Sequence, residues 1–94
     1  MSPPPTYAIY VEVESRFNDA SDEIGTILER RGFVRRSGIV YFGRERMNAV
    51  DCVLAAMDLA RSLPWFPSAV RDIRMLRIEE SNDLMPAVQQ ANSQ

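Results

Sequence analysis

The chain has 94 residues, enough for one domain that buries about 60% of the surface its unfolded form exposes. Its 46% hydrophobic and 26% charged residues are typical of a globular protein, and the net charge of −2 argues against binding nucleic acid through bulk positive charge. With no histidine and one cysteine, Cys52, the chain excludes an intrachain disulfide, a structural zinc site and an imidazole-based nucleophile triad. An enzyme of this composition has to use carboxylates, hydroxyls, arginines or a hard metal ion.

No charged segment followed by a short apolar one marks a secretion signal, and no apolar run is long enough to span a bilayer. We therefore expect a cytoplasmic protein without a membrane partner. Residues 1–5 include three consecutive prolines and are expected to be a disordered tail, as is the segment 89–94. Residues 6–88 are expected to form a single domain.

Strict alternation of side chains predicts the first strand, residues 6–14. One face carries Tyr7, Ile9, Val11 and Val13, and the other carries Ala8, Tyr10, Glu12 and Glu14. The first face is expected to pack against the core. The second face places two carboxylates beside a tyrosine, so it either binds a metal ion or meets solvent.

Apolar residues recur at helical spacing between Asn18 and Arg31 and predict the first helix. Asn18 or Asp19 is expected to cap its start, and Gly32 follows as a stop. Gly25 lies in the middle of this helix, where glycine costs about 1 kcal/mol relative to alanine. A close approach of the helix to the sheet is the expected reason for it.

Two short strands between residues 33 and 43 are predicted to form a hairpin around the turn Ser37-Gly38. Charges in the first strand suit a sheet edge, whereas residues 39–42 are apolar on both faces and suit a central strand. Asn48 is predicted to cap a second helix that Pro64 ends. The expected inner stripe of this helix is apolar and comprises Val50, Val53, Leu54, Met57 and Ala60.

An aromatic corner at Trp65 and Phe66 either plugs the end of the core or offers a patch to a partner. Residues 69–80 are predicted to form the last long strand. The short apolar segment 84–88 that follows is either a helical turn or an edge strand.

The resulting order of strand, helix, strand, strand, helix and strand predicts an α+β fold. Two right-handed crossovers around a shared hairpin give the ferredoxin-like split βαβ (βαββαβ) arrangement, an antiparallel sheet with both helices on one face, plus a short C-terminal element. The other face is too apolar to remain bare, which predicts a homodimer packed through it. Tyr10 and Tyr41 are expected at that interface, and stacking on RNA bases is the alternative for both.

Several separated segments between Tyr7 and Val88 resemble the virulence-associated protein D family: Tyr7-Ala8-Ile9, Gly32-Phe33, Gly38-Ile39-Val40-Tyr41-Phe42, Trp65-Phe66, Val70-Arg71-Asp72-Ile73-Arg74 and Arg77-Ile78-Glu79. The resemblance implies a ferredoxin-like homodimer with endoribonuclease activity, the toxin of a toxin–antitoxin pair whose partner is a small antitoxin protein. It also implies kinship with a small CRISPR-associated nuclease in which paired first-strand aspartates face each other across a dimer and can hold a divalent metal ion. The family usually has aspartate at the position of Glu12 and serine at that of Ile39, and it shares the acid at Asp72.

The resemblance makes Glu12 and Asp72 the candidate catalytic residues. Glu12 would bind Mg²⁺ or Mn²⁺ together with its dimer mate, or act as a base toward water or a ribose 2′-hydroxyl. The alternative for both acids is a structural ion pair with arginine. Five arginines are candidate RNA phosphate contacts or, alternatively, solubilising surface residues: Arg35, Arg36, Arg71, Arg74 and Arg77.

The sequence therefore leads us to expect an endoribonuclease that cleaves RNA at an acidic site on a dimer seam. The alternative is a catalytically defective member of the family, acting as an RNA-binding or protein-binding regulatory dimer.

Overall fold

The structure is a computed structural model that describes residues 6–37, 39–79 and 82–92. The proline-rich tail expected at residues 1–5 lies outside these ranges, as do Gly38 of the predicted turn, residues 80–81 and residues 93–94. Within the described ranges, no helix has both the length and the apolar character needed to cross a membrane.

Within the described residues, four strands and four α-helices follow one another in the order expected for a split βαβ fold. They are β1 (Thr6–Val13), a 3₁₀ helix (Ser15–Ala20), α1 (Ser21–Arg30), β2 (Phe33–Ser37), β3 (Val40–Gly43), α2 (Ala49–Ser62), the short α3 (Phe66–Ala69), β4 (Val70–Ile78) and α4 (Met85–Asn92). The strands form one sheet in the order β2-β3-β1-β4, and every neighbouring pair is antiparallel. The predicted ferredoxin-like α+β fold, with the first and third strands in the centre, is confirmed.

The core lies between one face of the sheet and the two long helices. Ile9 and Val11 of β1 are buried there. They belong to one cluster with residues from both helices, namely Ile24, Ile27 and Leu28 of α1 and Cys52, Ala55 and Leu59 of α2. The register places Ala8 opposite Phe42 and Leu76, on the face of the sheet that the helices do not cover. This uncovered face is called the open face below.

The start of the first helix differs from the prediction. The chain leaves β1 through the 3₁₀ helix, and α1 begins only at Ser21, with Ala20 rather than Asn18 or Asp19 at its N-cap. A 3₁₀ helix is tighter than an α-helix and suits the sharp change of direction after β1. Phe17 anchors this segment by stacking on Trp65, with ring centroids 5.4 Å apart.

The predicted cap of α2 is confirmed. The Asn48 side chain accepts a hydrogen bond from the Asp51 backbone N–H at 3.2 Å, and the Asp51 carboxylate accepts one from the Asn48 N–H at 2.8 Å. This reciprocal pair is a capping box, which satisfies two backbone donors at the helix start. The helix ends at Ser62, two residues before Pro64.

The predicted inner stripe of α2 is wrong. Its residues are exposed, with Val50 at 63%, and the buried residues are instead Cys52, Ala55 and Leu59. The two small residues allow α2 to approach the sheet closely, and the bulkier residues then lie on the outer side. Apolar size predicts the wrong face here because close packing between a helix and a sheet also depends on the space that each position leaves.

The aromatic corner plugs the core, as one of the two alternatives predicted. Phe66 is buried, and Trp65 packs on the core cluster while its indole N–H donates a hydrogen bond to Glu23 at 3.1 Å. The short C-terminal element is a helix, α4, whose residues are all exposed. It extends to Asn92 and so includes the first four residues of the segment 89–94 that was expected to be a disordered tail.

Two leucines of α2, the buried Leu59 and the exposed Leu54, give a matched test of this packing. Leu59→Ala removes a fully buried side chain and should lower the free energy of unfolding by about 2–5 kcal/mol. Leu54→Ala, at a position that is 43% exposed, should lower it by less than about 1 kcal/mol. Urea denaturation of both variants measures the difference, and equal losses would contradict the orientation of α2.

Candidate active site

An acidic cluster lies on the open face at the end of β1. Glu12 pairs with Asp72 of β4 directly across the ladder, and Tyr10 lies two residues before Glu12 on the same face. The Tyr10 hydroxyl donates a hydrogen bond of 2.6 Å to Oε2 of Glu12. The central strand thus presents a carboxylate whose orientation its own tyrosine fixes.

A β-bulge brings an arginine to the same place. The ladder between β1 and β4 shifts register after Glu12, so that Val13 pairs with Val70 and Arg71 is the additional residue. The Arg71 Nε atom lies 3.9 Å from Oε1 of Glu12, the carboxylate oxygen that Tyr10 does not bind. Without the extra residue, strict alternation would place Arg71 on the face opposite to Glu12.

The second acid is held by a second arginine. Nε of Arg74 donates a hydrogen bond of 2.8 Å to the Asp72 carboxylate, which raises the pKa of Arg74. Arg74 also pairs with Tyr10 across the ladder. The acidic cluster therefore contains two carboxylates, two guanidinium groups and one phenol, all on adjacent central and edge strands.

The hydroxyl of Tyr10 is kept protonated. Its hydrogen bond to Glu12 raises the pKa of Tyr10, and partial desolvation and the negative charges of Glu12 and Asp72 act in the same direction. Tyr10 is therefore a permanent donor to Glu12 at neutral pH. Oε1 is the carboxylate oxygen to which Tyr10 does not donate, so both of its lone pairs face away from this hydrogen bond.

The donor set suits a hard divalent cation, but one protomer supplies few ligands. Among the described residues, no three acidic or cysteine side chains converge on a point. Magnesium in proteins is often held by one or two carboxylates together with water and substrate phosphates, and Glu12 with Asp72 offers that number. Further carboxylates would have to come from a second copy of the chain.

The structure separates the five predicted RNA-contacting arginines. Arg71 and Arg74 belong to the acidic cluster, whereas Arg77 lies near the other end of β4, opposite Tyr7 and 3.6 Å from Glu79. Arg35 pairs with Tyr41 on the helix-covered side, and Arg36 is exposed on the edge strand β2. Among the five, Arg71 and Arg74 therefore belong to the acidic cluster, and Arg35 lines a cleft that Glu12 also borders.

The expectation that Tyr41 lies on the open face with Tyr10 is wrong. Tyr41 pairs with Ile9, so its ring points into the core, where it is buried and where burial raises the pKa of its hydroxyl. The strand that contains Tyr41 is apolar on both faces, so its sequence pattern gives no signal for which face is inside. Only the register with β1 decides the question.

A cleft beside Glu12 contains functional candidates that the sequence did not indicate. It has a volume of about 240 Å³, and Asn18, Ser21 and Ile39 lie along its wall. Asn18 was expected to cap a helix, and the 3₁₀ helix moves it to the cleft instead. The signal in the sequence was its position, four residues after Glu14 at the end of the predicted acidic strand.

No family model matches the chain. It is 37% identical over 92 residues to "Endoribonuclease VapD 2" of Riemerella anatipestifer, an alignment that covers 87% of this chain and 98% of that protein. It is 50% identical over 66 residues to "Endoribonuclease VapD homolog" of Helicobacter pylori, with 70% of each chain covered. It is 38% identical over 64 residues to "Endoribonuclease VapD" of Haemophilus influenzae, with 68% of each chain covered.

The bond between Tyr10 and Glu12 can be tested by titration. Glu12→Gln removes the negative charge while leaving an acceptor, so the pKa of Tyr10 should fall toward its ordinary value of 10.0. The pKa of Tyr41 should not change, because burial is its main cause. Tyrosine ¹³C NMR over a pH series measures both.

The sign of this shift also predicts a pH effect on stability. Since the pKa of Tyr10 is raised in the fold, its bond to Glu12 stabilises the protein below pH 10.0, and that contribution is lost as the pH rises through the raised value. An unchanged Tyr10 pKa in Glu12→Gln would show that the hydrogen bond does not form in solution.

Proposed function

Because the chain belongs to the VapD family of endoribonucleases, we propose that it is an RNA-cleaving hydrolase whose active site is the acidic cluster around Glu12. The observation that carries the proposal is the orientation and exposure of the Glu12 carboxylate. One of its oxygens is held by Tyr10 at 2.6 Å, and the side chain is only partly buried, on a face that the helices leave uncovered.

In the proposed mechanism, Oε1 of Glu12 accepts the proton of the attacking group, either a ribose 2′-hydroxyl or a water molecule. The attacking oxygen bonds to phosphorus while the bond from phosphorus to the leaving ribose oxygen breaks, and solvent water supplies the proton that the leaving oxygen takes up. Tyr10 keeps the carboxylate oriented, which compensates for the extra methylene of glutamate relative to aspartate. Arg71 and Arg74 lie where they can stabilise the negative charge that develops on the phosphate. A Mg²⁺ or Mn²⁺ ion held by Glu12 and Asp72 would add charge stabilisation of the same kind.

The open face supports the proposal of a homodimer. It carries half-buried or exposed apolar side chains on three of its strands: Val34 of β2, Val40 and Phe42 of β3, and Leu76 and Ile78 of β4. A surface of this kind is typical of an interface between copies of a chain. Packing two open faces together would bring the acidic clusters of the two protomers to a common seam and provide the additional carboxylates that a metal ion requires.

In the cell, we propose that this activity acts on single-stranded or loosely structured RNA in the cytoplasm, as the toxin of a pair whose second member is a small antitoxin protein. Family membership supports this part of the proposal. Arg71 and Arg74 supply phosphate contacts that position a strand without specifying its bases.

A second candidate function has an observation in its favour. Both acids already have arginine neighbours, at 3.9 Å for Glu12 and 2.8 Å for Asp72. If these ion pairs persist when RNA binds, the carboxylates are neutralised and the protein is a regulatory dimer that binds RNA or protein without cleaving it.

Two matched glutamate variants distinguish the RNA-cleaving enzyme from the regulatory dimer. Glu12→Gln should reduce RNA cleavage at least about 100-fold, because it removes the base while keeping an acceptor for Tyr10. Glu14→Gln should cleave normally, because Glu14 lies past the end of β1 and binds Arg16 at 2.9 Å. Cleavage is measured on labelled single-stranded RNA with Mg²⁺, with Mn²⁺ and with a chelator.

Undiminished cleavage by Glu12→Gln would remove the acidic cluster as the active site. An inactive wild-type protein that still binds RNA would support the regulatory dimer. A metal requirement that Glu12→Gln abolishes together with activity would assign the ion to this site.

Two matched valine variants test the interface. Val34→Asp places a charge on the open face and should convert the dimer to a monomer, because an unpaired carboxylate cannot be buried at an apolar seam. Val53→Asp makes the same change on the exposed side of α2 and should leave the dimer intact. Sedimentation velocity of both variants measures the outcome, and dissociation by Val53→Asp alone would move the interface to α2.

A further inference from the structure

The cleft beside Glu12 continues into a second cleft along α1. The second has a volume of about 280 Å³, and it shares Ser21 and Arg35 with the first. Together they form a groove between α1 and the edge strand β2. The groove begins at Glu12 and passes Gly25 before it reaches Glu29.

The groove exists because the central strands differ in length. β3 begins at Val40, opposite Tyr10, whereas β1 continues to Val13. Past the end of β3, the Val11 N–H still donates a hydrogen bond to the Ile39 carbonyl, at 2.9 Å. Beyond it, the wall of the groove is apolar and is formed by Val11, Val13, Ile24, Ile39 and Tyr41.

Gly25 lines the second cleft of the groove. A Cβ atom at this position would lie 4.0 Å from the Tyr41 ring, which is an ordinary van der Waals distance. The close approach expected from the sequence is therefore not the reason for the glycine, and alanine would fit. Because Gly25 lines the second cleft, a leucine at this position would reduce the space in the groove, whereas alanine would add only an ordinary contact.

The charges along the groove favour a neutral ring over a phosphate. Arg35 lies at the junction of the two clefts, but the second cleft is flanked by Asp22 and Glu29, which would repel the RNA backbone. Carboxylates and an amide such as Asn18 instead suit the N–H groups on the edge of a base. The first cleft has a mainly apolar wall with a few polar groups, which is typical of pockets that bind small planar ligands, and the second cleft adds polar groups at one end of it.

We propose that this groove binds one nucleobase of a single-stranded RNA, belonging to a nucleotide next to the one held at Glu12. Unstacked bases of single-stranded RNA are recognised in this way, through their flat faces and their hydrogen-bonding edges. The inference rests on the proposed function for the identity of the ligand. It adds a subsite that would select where in an RNA the acidic cluster acts.

Binding measurements with uncleaved RNA test the subsite separately from catalysis. The probe is a short single-stranded 2′-O-methyl RNA in a chelator, together with versions that each lack one base. Removing the base that occupies the groove should weaken binding to the wild-type protein about tenfold. Gly25→Leu should weaken binding of the intact RNA by a similar factor and should no longer respond to that missing base.

Two controls and a second variant complete the test. Gly25→Ala should bind like the wild type, because it adds only an ordinary contact, and so should Ala60→Leu, which adds the same side chain on the exposed side of α2. If Gly25→Leu fails to fold, Asn18→Leu replaces it in the test. Asn18 lies at the exposed rim of the groove, and its leucine variant should also bind the intact RNA and the RNA lacking the base equally.

The outcomes distinguish this inference from the proposed function. The subsite is overturned if a folded Gly25→Leu or Asn18→Leu variant binds the intact RNA and the RNA lacking the base as the wild type does. This holds whatever Glu12→Gln does to cleavage. Base-dependent binding that Gly25→Leu abolishes supports the subsite even if the wild-type protein cleaves no RNA, an outcome that would overturn the proposed function alone. A wild-type protein that binds no RNA overturns both.

Discussion

The antiparallel pairing of β1 with β3 and β4 is the constraint on which the other features depend. Because side chains alternate along a strand, fixing Ile9 opposite Tyr41 and Met75 also fixes which residues point away from the helices. A shift of one residue would bury Glu12 in the core, where an unpaired carboxylate is strongly unfavourable. The hydrophobic core and the acidic cluster are therefore two consequences of the same register.

Interruptions of this regular pairing create the functional features. The bulge after Glu12 turns Arg71 toward the acids, and the short β3 opens a groove beside the end of β1. The 3₁₀ helix then carries Asn18 to the rim of that groove. Each interruption lies close to Glu12. The end of the central strand therefore combines the rigid support of the paired sheet with the irregular backbone that shapes a binding site.

Sequence patterns predicted the features that depend on local chemistry. The element order, the central position of the first and third strands, the Asn48 cap and the aromatic plug of Trp65 and Phe66 are all confirmed. Patterns failed where two faces of an element are both apolar. In α2 the bulky residues suggested the inner side, but close packing on the sheet selected Cys52 and Ala55, and in β3 the same ambiguity concealed the burial of Tyr41.

The sequence by itself determined the fold class, the family and the identity of the acidic strand, since alternation, capping residues and spaced motifs act over short distances along the chain. Tertiary structure decided the neighbours of those acids. The contact of Arg71 with Glu12 depends on a bulge, and the groove depends on the relative lengths of β1 and β3 and on the position of α1 beside them. These features join residues that are far apart in sequence, so they arise only when the sheet register and the position of α1 are fixed together.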